Sequence, residues 1–264
     1  MASGLEEREQ QPLSAVTEPR GERAGLSRVL AALERGLAAR PERSIEADDV
    51  ARRIIELGIV VSVVAVAGQT VLHLADIVAF DRGVNIFDAD DDVTVSGWAS
   101  TAATFAAAVA VLPLAIATGR RWFFVLAGIF AFFSFDDFIR LHERLAAKVE
   151  SLGIDESLQL GRLIWAAVFF PLLALTAALL WALANTVARE EGRLIRLGLA
   201  LLAAGVVLEA ASPALFAFDL DHKDWQYEAE VVLEEGAELA GWIWISAALL
   251  AASCRMLVLR GRRG

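Results

Sequence analysis

Six ionisable residues stand where an apolar sequence has least use for them. Asp136, His142 and Glu143 close the run FSFDDFIRLHERL, Glu209 interrupts GVVLEAAS, and Glu234 and Glu238 lie in EEGAELAGWIW. Carboxylates joined by a histidine are the donor groups of metal centres and of proton relays. Each charge at mid-bilayer costs about 2.5–3.5 kcal/mol, so an acid in an apolar turn needs an arginine, a metal, a proton or water to offset it. On a continuous helix at about 100° per residue, Asp136 and Glu143 point within roughly 20° of one another, and Arg140 lies about 40° from Asp136. Glu230, Glu234 and Glu238 form an i, i+4, i+8 stripe, and Glu235 joins Glu238 across one turn. His73 and Asp76 make an i, i+3 pair.

The elements that must carry these groups are apolar helices. The chain has 264 residues, 57% hydrophobic, with a mean hydropathy of +0.53. The apolar residues are gathered into six runs long enough to cross a bilayer, at 54–78, 97–118, 121–139, 163–187, 194–218 and 231–258. Alanine and leucine dominate and period-two alternation is absent, which excludes strands. The expected fold is all-α, a polytopic bundle of six transmembrane helices spanning residues 51–264. Residues 1–50 form a polar tail whose first part reads as disordered. Within it, Leu26, Val29, Leu30, Leu33 and Leu37 share one face, so an interfacial amphipathic helix over 25–40 competes evenly with a solvated linker helix.

Arginines set the orientation. Arg52 and Arg53 precede the first run, and Arg120 and Arg121 link the second to the third. Arg189, Arg193 and Arg196 link the fourth to the fifth, and Arg255, Arg260, Arg262 and Arg263 close the chain. By the positive-inside rule these segments and both termini are cytoplasmic, in the plasma (inner) membrane of the cell. The acidic loops FDRGVNIFDADDDVTVS and FDLDHKDWQY are then extracytoplasmic. Trp98, Trp122, Trp165 and Trp181 fall near the expected interfaces. This topology sends His73, Asp76, Asp136, His142, Glu143, Glu209, Glu234, Glu235 and Glu238 to the outer layer. The inner half holds nothing comparable beyond Glu56.

Simpler readings apply to several residues. Asp137, Arg144 and Glu228 are shallow enough to be wet, Arg140 suits a structural salt bridge, and His222 sits in an acidic loop. His73 with Asp76 reads equally as a hydrogen-bonded pair or as a ligand. A net charge of −10 with no basic stripe excludes nucleic acid as a partner, leaving the lipid bilayer. Cys254 is the only cysteine, which excludes intrachain disulfides and cysteine-based metal knuckles.

Three segments, FDADDDVTVSGW, SFDDFIRLHE and EEGAELAG, resemble a family of bacterial multipass membrane proteins of uncharacterised function. Its members carry F-D-x-D-x-E-x-N-x-P-x-W, then S-x-D-E-x-x-x-x-H-E, a lone Glu, and E-E-x-x-E-x-x-G. Ser134, Asp136, His142 and Glu143 match the second motif, with Asp137 in place of Glu, and Glu234, Glu235, Glu238 and Gly241 match the third. The first is degraded, with Asp92 for Glu, Thr94 for Asn and Ser96 for Pro. The resemblance, over about 54–258, implies six helices and an important carboxylate layer. It implies no activity.

The leading expectation is a divalent metal site (Zn, Fe or Mn) in the outer half of the bundle, serving a metal-dependent hydrolase or oxidoreductase. Its donors are Asp136, His142, Glu143, Glu209, Glu234, Glu238 and His73, with Arg140, Asp76 and Glu235 in support. The missing E-x-x-H signature and the scarcity of histidine weigh against a zinc or desaturase-type centre. Proton- or cation-coupled transport is the second expectation. A non-catalytic sensor or assembly partner with Ca²⁺-binding acidic loops is the third.

Overall fold

The computed structural model describes residues 47–89, 94–141, 144, 148, 160–216 and 224–261. The polar tail with its expected amphipathic helix, His142, Glu143 and His222 lie outside the described residues. Among the described residues six long helices follow one another: α1 (Ala47–Ala79), α2 (Val95–Thr118), α3 (Arg121–Ile139), α4 (Leu160–Ala184), α5 (Arg189–Phe216) and α6 (Trp225–Gly261). A single 3₁₀ turn, Asn85–Phe87, lies between α1 and α2. Helices α1, α2, α3 and α6 cover the apolar runs expected for them, while α4 stops at Ala184, short of 187, and α5 is described as far as Phe216 of the run 194–218. No strand occurs among the described residues, so the fold is all-α.

Four of these helices, α1, α2, α3 and α6, are long and apolar enough to cross a membrane. The case is plainest on α1, where only 17% of the most apolar window is buried. Leu57, Val60, Val61, Val63, Val64, Val71, Leu74 and Val78 are all exposed on it. A face that apolar is stable against hydrocarbon rather than water, and a helix satisfies its own backbone there. The chain is a membrane protein.

Local stops follow from local chemistry. Thr94 caps α2 by accepting the Gly97 N–H, and Gly119 ends it at φ 67, a left-handed conformation that glycine adopts without cost. Thus Thr94, a departure from the resembled loop motif, has a plain role as an N-cap. Both α2 and α4 run on through Pro113 and Pro171.

Helix α6 is the hub, packing against α1, α2 and α5, while α2 also packs on α3 and α4 on α5. Cross-helix pairs give the directions. Ser246 donates to the Ala103 carbonyl at 2.7 Å and Ser253 to that of Ala110 at 2.5 Å, so α2 and α6 run parallel, in contact every two turns. Helix α1 runs antiparallel to α6, because Val66 lies against Gly236 while His73 bonds Glu228. Helix α5 does the same, with Gly198 against Gly241 and Gly205 against Glu238. This is the alternation that an up-and-down bundle requires. The core joins α2, α3, α5 and α6 through Val111, Leu114, Leu126, Phe130, Ile195, Ile245 and Leu249. On α3, Phe130 meets Trp242 edge-on at 5.7 Å between centroids.

Two expectations need correction. Helix α3 ends at Ile139, and Arg140 takes φ 55 as its left-handed C-cap, donating its N–H to the Asp136 carbonyl. The angular relation drawn from Asp136 to Glu143 assumed an unbroken helix, whereas α3 stops at Ile139; Glu143 itself lies outside the described residues. The end of the bundle expected to hold almost no comparable charge also buries one, Glu191.

Candidate functional site

Antiparallel packing brings the acids of α5 and α6 to one end of the bundle, here called the acidic end. Glu209, Glu234 and Glu238 each offer a carboxylate oxygen, and the three lie within 4.8 Å of one another. All three side chains are half-buried. Glu234 and Glu238 share a face one turn apart, and Glu230, buried one turn earlier, hydrogen-bonds Glu234. The approach of α5 depends on glycine. A Cβ on Gly205 would lie 2.7 Å from Glu238 Cγ, so the stem of Glu238 occupies the space that a side chain there would take. A Cβ on Gly198 would lie 2.9 Å from the Gly241 carbonyl oxygen, and one on Gly241 would lie 3.0 Å from the Gly198 oxygen. Gly198 and Gly205 are two turns apart, and Glu209 is one turn beyond. Small residues let two backbones approach, and here the approach joins the carboxylates.

A second group at the same end ties α1 to the start of α6. His73 is 2% exposed and sits 2.7 Å from Glu228 through Nε2. The Ala89 N–H donates to Nδ1 at 3.0 Å, so Nδ1 is the acceptor and Nε2 carries the proton that Glu228 receives. The Asp88 carboxylate stands 3.4 Å from Nδ1. Arg82 completes the group with an ion pair to Glu228. Asp81 and Arg82 both take positive φ, an uncommon choice for residues with side chains, and the bend returns the chain toward α6. Asp76 accepts the Val84 N–H at 2.8 Å through its side chain and the Arg82 N–H through its carbonyl. His73 and Asp76 therefore each brace the 84–89 turn. Glu228, expected to be wet, is buried by both partners.

Asp136 is buried on α3, 5% exposed, one turn beyond Phe133, whose ring packs on Trp242 at 6.2 Å. It is not among the three acids that converge within 4.8 Å. On α1, between the level of Gly236 and that of Glu228, Gln69 is 7% exposed and neither atom of its amide has a hydrogen-bond partner among the described residues.

At the opposite end, which sequence reasoning took as bare, Glu191 is fully buried and accepts Arg255 Nε–H at 2.9 Å. Arg255 also pairs with Asp48. Burial pushes the Glu191 carboxyl up, with a hydrogen bond from its own backbone N–H acting against that rise. A sequence signal existed: Glu191 lies just before the apolar run 194–218 and Arg255 near the end of the run 231–258, on helices whose antiparallel packing would make them meet.

The all-α fold, the membrane-type helices and the converging acids define a membrane bundle with a carboxylate cluster at one end. Residues 57–253 match the family described as a domain of unknown function, DUF8692, and the chain belongs to that family. No curated protein and no solved structure matches it.

Proposed function

We propose that the protein is a six-span membrane protein that binds a divalent cation between Glu209, Glu234 and Glu238, on the extracytoplasmic side of the plasma membrane. The observation that carries this reading is the meeting of three ligand atoms from two helices within 4.8 Å, at a place where Gly205 makes room for one of them. Three carboxylates so close repel each other, and a cation at their centre turns that repulsion into binding energy. An all-oxygen donor set suits Mn²⁺ among the metals expected, and Mg²⁺ or Ca²⁺ as well, better than Zn²⁺. Asp136, His142 and Glu143 remain the further donors proposed from the sequence. His73 is better suited to bracing the 84–89 turn, since both ring nitrogens already have partners. With the arginine-flanked links inside, both termini are cytoplasmic and the acidic end faces outward.

Transport is the weaker reading. Past Glu238, α6 continues as LAGWIWISAALLAAS to residue 253, and both its serines are engaged with carbonyls of α2. A site served from one side fits that barrier; a metal-dependent enzyme or a cation-stabilised membrane scaffold would both use it.

The test is divalent-cation binding to the full chain purified in detergent, by elemental analysis after dialysis against Mn²⁺, Ca²⁺ or Zn²⁺ and by Mn²⁺ paramagnetic resonance. One Mn²⁺ per chain is expected, with affinity falling at least ~10-fold in Glu238→Gln and in Glu234→Gln. No stoichiometric metal in the wild type, or binding by both variants as tight as in the wild type, would end the proposal.

A further inference from the structure

The end that holds Arg255 carries a half-open cavity of about 480 Å³ between the α2–α3 link, the α4–α5 link and the last turns of α6. Its volume is in the range of small-molecule sites, roughly 300–1,000 Å³. Most of the wall is apolar, with Phe123, Leu183 and Met256 among the lining side chains. Among the polar residues that interrupt it, two stand out, Glu191 and Arg120. Glu191 is wholly buried and lines the cavity; its Oε1 takes the Arg255 bond, and its Oε2 has no hydrogen-bond partner among the described residues. Arg120, at the cavity's rim, has an exposed side chain and no ion-pair partner among the described residues. The Arg255 charge, by contrast, is already met by Glu191 and Asp48.

An orphan oxygen buried in this way costs about 1–3 kcal/mol. Protonation does not relieve it, because the new O–H would lack an acceptor in its turn. A ligand N–H relieves it directly. A cation-seeking carboxylate and an anion-seeking guanidinium in one cavity describe a zwitterion, and the apolar wall asks for hydrocarbon beside it. The cavity also lies where α2 ends at Thr118 and α4 at Ala184, the level at which the apolar runs give way to arginine-rich links.

We propose that this cavity binds a primary-amine phospholipid, with its ammonium on Glu191 Oε2, its phosphate at Arg120 and an acyl chain along Phe123, Leu183 and Met256. Guanidinium is the side chain best shaped for phosphate. A trimethylated amine has no N–H to give and would leave Oε2 unsatisfied. A purely anionic lipid would set like charge against Glu191. A free ammonium–phosphate zwitterion presents the same polar chemistry, and the experiment separates the two sources.

Full-length protein in detergent micelles is mixed with phosphatidylethanolamine, phosphatidylcholine or phosphatidylglycerol, or with soluble phosphoethanolamine, and retained ligand is counted by native mass spectrometry. One phosphatidylethanolamine per chain is expected, preferred at least ~10-fold over the other two lipids. Glu191→Gln should abolish that preference, and Arg120→Gln should lower retention of phosphatidylethanolamine at least ~10-fold. Failure of phosphoethanolamine to bind or compete assigns the site to the lipid. Binding of phosphoethanolamine with no preference among lipids would overturn the lipid assignment and transfer the site to a soluble zwitterion. Equal retention of the three lipids without phosphoethanolamine binding overturns the proposal, as does undiminished retention of phosphatidylethanolamine in Arg120→Gln. That exposed position makes the Arg120 variant decisive even where Glu191→Gln fails to fold.

Discussion

The two ends of the bundle handle charge in opposite ways. At one, two acids surround one arginine: Glu191 is completely buried, and Arg255 reaches both it and Asp48. At the other, three glutamates converge on one another and stay half-buried. The first end carries its counter-charge in its own sequence and gains a clamp joining α1, α5 and α6. The second keeps donor atoms together and accessible, which is what a site for an external cation needs. Glu191 and Glu209 lie about five turns apart on α5, or about 27 Å, close to the roughly 30 Å of a bilayer's hydrocarbon core. The two polar layers thus bracket the apolar slab, each at a depth where ionised groups are cheapest.

The clamp is the more expensive to break. Arg255→Met leaves Glu191 buried without its partner, and removal of one member of a buried pair typically costs about 3–5 kcal/mol. Chemical denaturation in micelles should show a loss of that size. Replacing all three residues together, Asp48→Asn with Glu191→Leu and Arg255→Met, should recover most of it. If Arg255→Met alone leaves stability unchanged, the clamp described here does not hold the helices.

The acidic end should respond differently to crowding. Gly205→Ala places a Cβ against Glu238 Cγ, and overpacking of this kind costs about 1–3 kcal/mol. More tellingly, it should weaken Mn²⁺ binding without altering any carboxylate, because Glu238 is pushed from its place beside Glu209. Retained affinity in Gly205→Ala, with lost affinity in Glu238→Gln, would show that the glutamates do not need the close approach of α5. Gly68→Ala, where a Cβ meets nothing within 4 Å, is the matched control and should change neither property.

The sequence made one kind of information plain and concealed another. Membrane-type helices were legible because the bilayer imposes their length and composition residue by residue. The convergence of Glu209, Glu234 and Glu238 was legible in part, since depth could be read from the arginine-flanked links. Pairings across helices were not, because helical spacing constrains only neighbours on the same helix. Nothing near Glu228 announces that it will meet His73 and Arg82, and the signal that joins Glu191 to Arg255 becomes readable only once α5 and α6 are known to pack antiparallel. The stop at Arg140 was hidden too, for no glycine or proline marks it. Gly198, Gly205 and Gly241 were the missed clue: small residues two turns apart on α5, facing another on α6, are how membrane helices come close.

Smaller effects test whether the ends act separately. Ser253→Ala removes the α6-to-α2 hydrogen bond near the clamp, and Ser246→Ala removes its counterpart two turns nearer the acidic end. Polar contacts between membrane helices average about 0.6 kcal/mol, so each variant should lose roughly that much and leave Mn²⁺ binding intact. The finest measurement is a double-mutant cycle between Arg255→Met and Gly205→Ala. Sites this far apart that share no partner add to within about 0.3–0.5 kcal/mol. Additivity would mean that clamp and cation site are separate devices at the two membrane faces. A coupling above ~1 kcal/mol would instead make α5 and α6 a single lever, with the clamp setting the spacing of the glutamates from the far side of the bilayer.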